Sequence, residues 1–337
     1  MSRPLLVDAV VDFTADPLAC EAAAVRAEAE GYDGVSIPET SHDPFVALTL
    51  AARATSRITL QSGIAVAFAR NPMTTAMVAN DVQLVSGGRF ELGLGSQVRA
   101  HIERRFGMPW GRPAARMEEY VGTLRAIWER FATGGRLHVE GEFYRHTLMT
   151  EFFDPGPNPH GPPPVLLAAV GERMTEVAGR VADGILCHSL TTVRYLTEVT
   201  VPALAQGRGG SLDGFTVSLA VFAVLGDTPE QRAAAEAGVR RQIAFYASTP
   251  AYRPVLELHG WGELADRLNR LSRQQAWAEM ATAVDDDVLD AFAVAGDAPA
   301  VAAQIRERFG GVAGRLSLNT PYAADHDQVL EVTALLR

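Results

Sequence analysis

The chain has 337 residues, 47% of them hydrophobic and 21% charged, with a formal net charge of -10. That composition fits an ordinary globular protein with ample core, and the acidic balance argues against nucleic acid and anionic membrane surfaces as partners, both of which select a basic footprint. All 30 basic residues are Arg, which excludes chemistries that need a lysine amine, such as Schiff-base aldolases, pyridoxal enzymes and P-loop nucleotidases.

In chain order, the opening MSRPLLVDAVVDF carries an acidic residue inside its apolar stretch and no cleavage site, so it reads as a strand (Leu5–Phe13) rather than a signal peptide. Asp16-Pro17 has the cap-then-proline signature of a helix start, and Gly31 stands where that helix stops. A second strand is predicted over Gly34–Ile37 and a helix from Asp43-Pro44. A third strand over Ile58–Phe68 is interrupted by Ser62-Gly63, and a helix from Asn71-Pro72 to Gly87 follows. A fourth strand, Arg89–Gly95, precedes a Gly- and Pro-rich segment at about 133–163 ("FFDPGPNPHGPPP") with a hairpin expected around Leu137–Tyr144. Val165–Ala169, Gly184–His188 and Phe215–Leu225 are strands five to seven, and Thr228-Pro229 opens another helix. Extra helices are expected at about 248–293, before the eighth strand, Arg315–Asn319. No apolar run reaches membrane-spanning length. Cys20 and Cys187 lie far apart and read as free thiols of a reducing, cytoplasmic compartment.

Eight strands alternating with helices imply parallel pairing through right-handed crossovers, which closes naturally into a single (β/α)8 TIM barrel spanning 1–337. An open doubly wound sheet would place GxGxxG after the first strand, and none is present. In a barrel the chemistry sits at the C-terminal strand ends, and both insertions are expected to roof that mouth. The ends deliver Asp12, then Glu39-Thr40-Ser41-His42, then the Ser62-Gly63-Ile64 interruption. Gly93, Gly95, Ser96, Gln97 and His101 follow, then the "AAVGERMTE" turn and His188. No HxH, HExxH, Cys pair or GxSxG occurs, so neither a metal site nor a serine nucleophile is expected. Glycines, amides, a few carboxylates and scattered histidines suit a site that binds a planar cofactor and leaves the chemistry to it.

The succession "GYDGVSIPET", "QSGIAVAFARNPMTTAMVANDVQLVSGGRFELGLGSQ" and "AAVGERMTEVAGRVADGI" resembles the bacterial luciferase-like monooxygenase superfamily, and more closely its branch that uses the deazaflavin coenzyme F420. The resemblance implies a luciferase-like barrel, a homodimer, and a non-prolyl cis peptide at Gly63–Ile64 pressing on the cofactor ring. It places cofactor contacts at Glu39, Thr40, Gly63, Ile64, Gln97, His101, Ala169, Val170 and Gly171, with the turn after strand five holding the cofactor phosphate and Arg173 assisting. The chain departs from several members in having Glu39-Thr40 where they have Asp-His, so a mechanism relying on that histidine does not carry over. The function expected is F420-dependent hydride transfer to or from a small organic substrate. Asp12 or Glu39, with a raised pKa, would act as proton donor, and His188 or His101 are the alternatives. An FMN-dependent monooxygenase and a non-catalytic flavin-binding barrel are the other readings.

Overall fold

The structure, a computed structural model, describes residues 5–337. Its strands are β1 (Leu6–Val10), β2 (Gly34–Ile37), β3 (Thr59–Ser62), β4 (Phe90–Gly95), β5 (Val165–Ala169), β6 (Gly184–Cys187), β7 (Thr216–Leu225) and β8 (Arg315–Asn319). Each pairs in parallel with the next, and β8 pairs with β1 through Leu6↔Arg315 and Val7↔Leu316. The eight strands therefore close into a (β/α)8 barrel.

The main outer helices are α1 (Pro17–Ala29), α2 (Pro44–Ala54), α3 (Pro72–Val85), α4 (Pro113–Thr133), α5 (Glu172–Val181), α6 (Val201–Arg208), α7 (Pro229–Ala247), α8 (Ala298–Phe309) and α9 (His326–Leu336). The start signals act as expected. Asp16, Asp43 and Asn71 each accept a first-turn N–H with Pro at the first helical position, and Thr228 with Gln231 forms a full capping box. Gly31 and Gly87 take the left-handed conformation just past α1 and α3.

Alternation along the strands divides the core in two. Val7, Val35, Leu60, Leu92 and Leu316 face the helices and are almost wholly buried, each contributing about 1.5–3 kcal/mol by leaving water. Their neighbours Asp8, Gln61, Glu91 and Arg315 turn inward and form a polar layer at the N-terminal end of the barrel. Arg315 Nε lies 3.0 Å from Asp8 Oδ2, its terminal nitrogen 3.3 Å from Glu91, and Gln61 donates to Glu91 at 3.0 Å. The glycine at 34 is dictated by this layer, because a Cβ there would fall 2.3 Å from Asp8 Oδ1.

Several boundaries differ from the sequence-based expectation. The first strand ends at Val10, leaving Asp12 in the loop beyond it. The third strand is not continuous: β3 stops at Ser62, a short strand Ala65–Val66 resumes pairing with β4, and a 3-10 turn takes Ala67–Ala69. The sixth strand ends one residue before His188. At the end of the helical insertion expected over 248–293, Ala293–Gly296 forms a further parallel strand beside the far half of β7. The hairpin pairs Val139–Glu140 with Arg145–His146, and Glu119 of α4 holds its turn by accepting the N–H groups of Glu142, Phe143 and Tyr144. Both cysteines are free and buried.

Candidate functional site

The C-terminal mouth is built around the break in the third strand. The peptide between Gly63 and Ile64 is cis. The break is held on both sides: Gly63 N–H donates to Ile37 O at 2.9 Å, and Glu39 N–H donates to Ile64 O at 3.2 Å. Ser62 Oγ–H donates to Gly93 O at 2.9 Å and accepts from Gly93 N–H at 3.0 Å, stapling β3 to β4. Glycine is needed at 63 for a reason inside the protein, since a Cβ would lie 1.9 Å from Ser36 Oγ. At 93 a Cβ would meet Ser62 O at the same separation.

Glu39 is part of this scaffold. Its Oε2 accepts from Val66 N–H at 2.7 Å and from Arg70 at 2.6 Å, with the carboxylate 6% exposed and the guanidinium 15%. Arg70 also reaches Asp43 at 2.7 Å. Thr40 donates from Oγ1 to Phe13 O and accepts from Arg105 at its carbonyl, tying the exits of β1 and β2 to the short helix Arg99–Arg104. Gln97 sits in the left-handed region at φ 58° and its own Oε1 accepts from Val98 N–H at 2.9 Å. His101 is exposed on that short helix.

The other half of the mouth is the turn after β5. Gly171 is the N-cap of α5 and supplies no capping side chain, so the first-turn amides have no side-chain acceptor. Gly171 has ordinary extended angles, φ -79° and ψ 148°, and a Cβ there would meet nothing within 4 Å. In front of it opens a cavity of about 600 Å³, lined by Gly171, Glu172, Arg173 and Met174 on one side. Arg112, Pro113, Ala114 and Ala115, at the start of α4, line the other. Two helix N-termini meet at this space, which favours an anion; Arg173 and the Glu172 carboxylate both line it, and Arg112 is paired with Glu142. Val170 O is fixed by Tyr195 OH at 3.1 Å, and Ala169 is buried beneath it.

The expected proton donors fare differently. Asp12 is exposed, and its Oδ1 accepts from Thr14 N–H at 2.7 Å and Thr14 Oγ1 at 2.6 Å. These bonds hold its pKa below the usual carboxylate range, the opposite of the raised value expected. His188 stands at the mouth rim just past β6, against Tyr246 at 4.4 Å and Tyr252 at 4.6 Å between ring centroids. Burial pushes its pKa down to about 4. Phe68 packs edge-on to Trp110 at 5.9 Å with the Arg116 guanidinium 4.4 Å over its ring, and Arg116 donates to Pro109 O at 2.7 Å. Arg70 and Asn319 belong to the site without having been singled out from sequence. Asn319 donates to Ser189 Oγ at 3.0 Å; one more polar residue near a strand end carried no signal of its own.

Residues 14–313 match the luciferase-like monooxygenase family, and the chain belongs to it. It is 52% identical over 297 residues to an uncharacterised protein of Mycobacterium tuberculosis, covering 87% of each chain. It is 27% identical over 315 residues to the 5,10-methylenetetrahydromethanopterin reductase of Archaeoglobus fulgidus, covering 91% of this chain and 90% of that one. Among solved structures it superposes on the coenzyme F420-dependent tetrahydromethanopterin reductase of Methanopyrus kandleri with a TM-score of 0.79 at 22% identity, over 98% and 97% of the two chains. It also superposes on the oxygenating constituent of a Pseudomonas putida 3,6-diketocamphane monooxygenase in complex with FMN, with a TM-score of 0.67 at 16% identity, over 100% and 97% of the chains.

Proposed function

We propose that the protein is an F420-dependent oxidoreductase that moves a hydride between the deazaflavin and a small organic substrate. The observation that carries this reading is the open cavity at the uncapped start of α5, on the same mouth as the strand break at Gly63–Ile64. The backbone at Gly63 and Ile64 would face the ring. The amides after Val170 and Gly171, with Arg173, would take the phosphate. Thr40, Gln97 and His101 would line the approach between them, and Ala169 would floor it. The deazaflavin, when bound, supplies the hydride-carrying carbon. The protein orients it, excludes water and recognises the substrate. Glu39 serves by positioning: its carboxylate is committed to Arg70 and the Val66 amide, which keeps the strand break in place.

An FMN-dependent monooxygenase is the second reading, favoured by the FMN-bound structural neighbour. Oxygen-electrode assays separate the two. The F420 reading expects no oxygen uptake when the protein is given reduced FMN beyond that of free reduced FMN, and uptake that scales with protein concentration and hydroxylates an added substrate would replace it. A homodimer in the cytoplasm accompanies the proposal, supported by apolar residues exposed along α2 and α3 such as Val46, Met77 and Leu84. Among the described residues no helix is long and apolar enough to cross a membrane.

A further inference from the structure

The geometry around His188 points to how the substrate is recognised. Leu186 faces the barrel interior, its Cδ1 lying 2.8 Å from where a Cβ on Gly93 would be. In extended chain the next side chain on that face is two residues on, and that residue is His188. Leu190 N–H donates to His188 Nδ1 at 3.0 Å, so the neutral imidazole carries its proton on Nε2. Among the described residues no group accepts from Nε2, nor is it among the fully buried unpartnered atoms, so this N–H is left for a ligand.

The walls of the niche are aromatic. Tyr246 meets the imidazole edge-on at 83° and Tyr252 lies tilted at 32° to it, with Phe222 behind Tyr246 at 6.5 Å. Among the described residues no charged side chain bears on the imidazole. The downward shift of the His188 pKa has burial as its one cause, with neither a carboxylate nor a guanidinium contributing. Burial, joined by the neighbouring phenol, holds Tyr252 in its neutral form. An anionic ligand would find no cation here and an ammonium no carboxylate, and burying either unpaired would be costly. A neutral acceptor with an apolar or planar body fits both the single donor and the aromatic faces.

We propose that His188, walled by Tyr246 and Tyr252, is the substrate-recognition residue of this mouth, its Nε2–H donating a hydrogen bond to the oxygen of a neutral carbonyl compound. The inference rests on the mouth being the active face, as the proposed function has it, but needs no cofactor to be tested. It also gives the enzyme a polar contact that neither Asp12, turned to solvent in its own tight turn, nor Glu39, committed to Arg70, is placed to make.

The test uses the full-length protein alone, titrated with cyclohexanone, cyclohexanecarboxylate and cyclohexylammonium. The readouts are tyrosine fluorescence and the NMR signal of the His188 Nε2–H. Cyclohexanone is expected to bind and shift that signal, and the two charged analogues to leave it in place. His188→Phe keeps a ring without the donor and is expected to lower ketone affinity about tenfold, the worth of one hydrogen bond. His188→Gln, which keeps an N–H, should stay within about threefold. A ketone that binds without moving the signal, a carboxylate that binds as well as the ketone, no ketone binding at all, or unchanged affinity in His188→Phe would each overturn the proposal. Ketone binding in a protein with no affinity for the deazaflavin would remove the hydride-transfer reading and leave this site standing.

Discussion

At the scale of single residues, the mouth is a set of close fits. Adding one methyl at Gly63 puts carbon 1.9 Å from Ser36 Oγ, so either the break or β2 must shift. Gly63→Ala is expected to cost about 1–3 kcal/mol in urea unfolding, and Gly63→Ala with Ser36→Gly should recover part of it. A double variant no better than the single would show that Ser36 is not the obstacle. Glu39→Ala should destabilise by about 2–4 kcal/mol, since it leaves the Val66 amide and one face of Arg70 without their acceptor. Glu39→Gln keeps an acceptor for the amide and should lose less. Equal losses in the two would mean that the amide contact contributes nothing.

At the scale of elements, the start of α5 makes a prediction with two opposite signs. Gly171 has angles any residue adopts and open space at its Cβ, so Gly171→Asp should fold and, by capping the first-turn amides, raise stability by up to about 1 kcal/mol. The same carboxylate would occupy the anion site and oppose a phosphate, lowering cofactor affinity at least about tenfold. A thermal melt and a cofactor titration of one variant check both, and a variant that binds the cofactor as tightly as the parent would remove the phosphate from this turn.

Much of this element structure was legible in advance. Capping pairs such as Asp43-Pro44 and Asn71-Pro72 act within a few residues, so local sequence announces them. The interruption at Ser62-Gly63 was visible as glycine inside an apolar run. What that glycine accommodates was not, because Ser36 approaches it from another strand. The ion pair of Glu39 with Arg70 was hidden for the same reason: the two lie 31 residues apart and meet only once the barrel closes. The raised pKa expected of Asp12 required it to point at an apolar ring, and the chain leaves β1 three residues earlier than its apolar pattern suggests, with Thr14 close enough to hydrogen-bond the carboxylate.

At the scale of the whole molecule, the barrel keeps its polar groups in a layer at one end and its open mouth at the other. In that layer Arg315 serves two carboxylates, Asp8 and Glu91. Burial raises the pKa of Asp8 to about 7, against the opposing pull of Arg315. A carboxyl whose folded pKa is raised stabilises fully below its unfolded value of 3.8, and that contribution is lost as pH climbs towards about 7. The wild type should therefore lose stability between about pH 4 and 7 by on the order of 1 kcal/mol per unit relative to Asp8→Asn, which has no proton to lose there. Parallel pH profiles of the two would contradict the assignment.

The closed barrel, the uncapped turn after β5 and the family together make the deazaflavin the central claim. The measurement that tests it most directly is a fluorescence titration of the purified protein with oxidised F420 and, separately, with FMN. Binding of F420 in the micromolar range, with FMN at least about tenfold weaker, is the result expected. FMN bound more tightly than F420, or neither bound, would contradict the account.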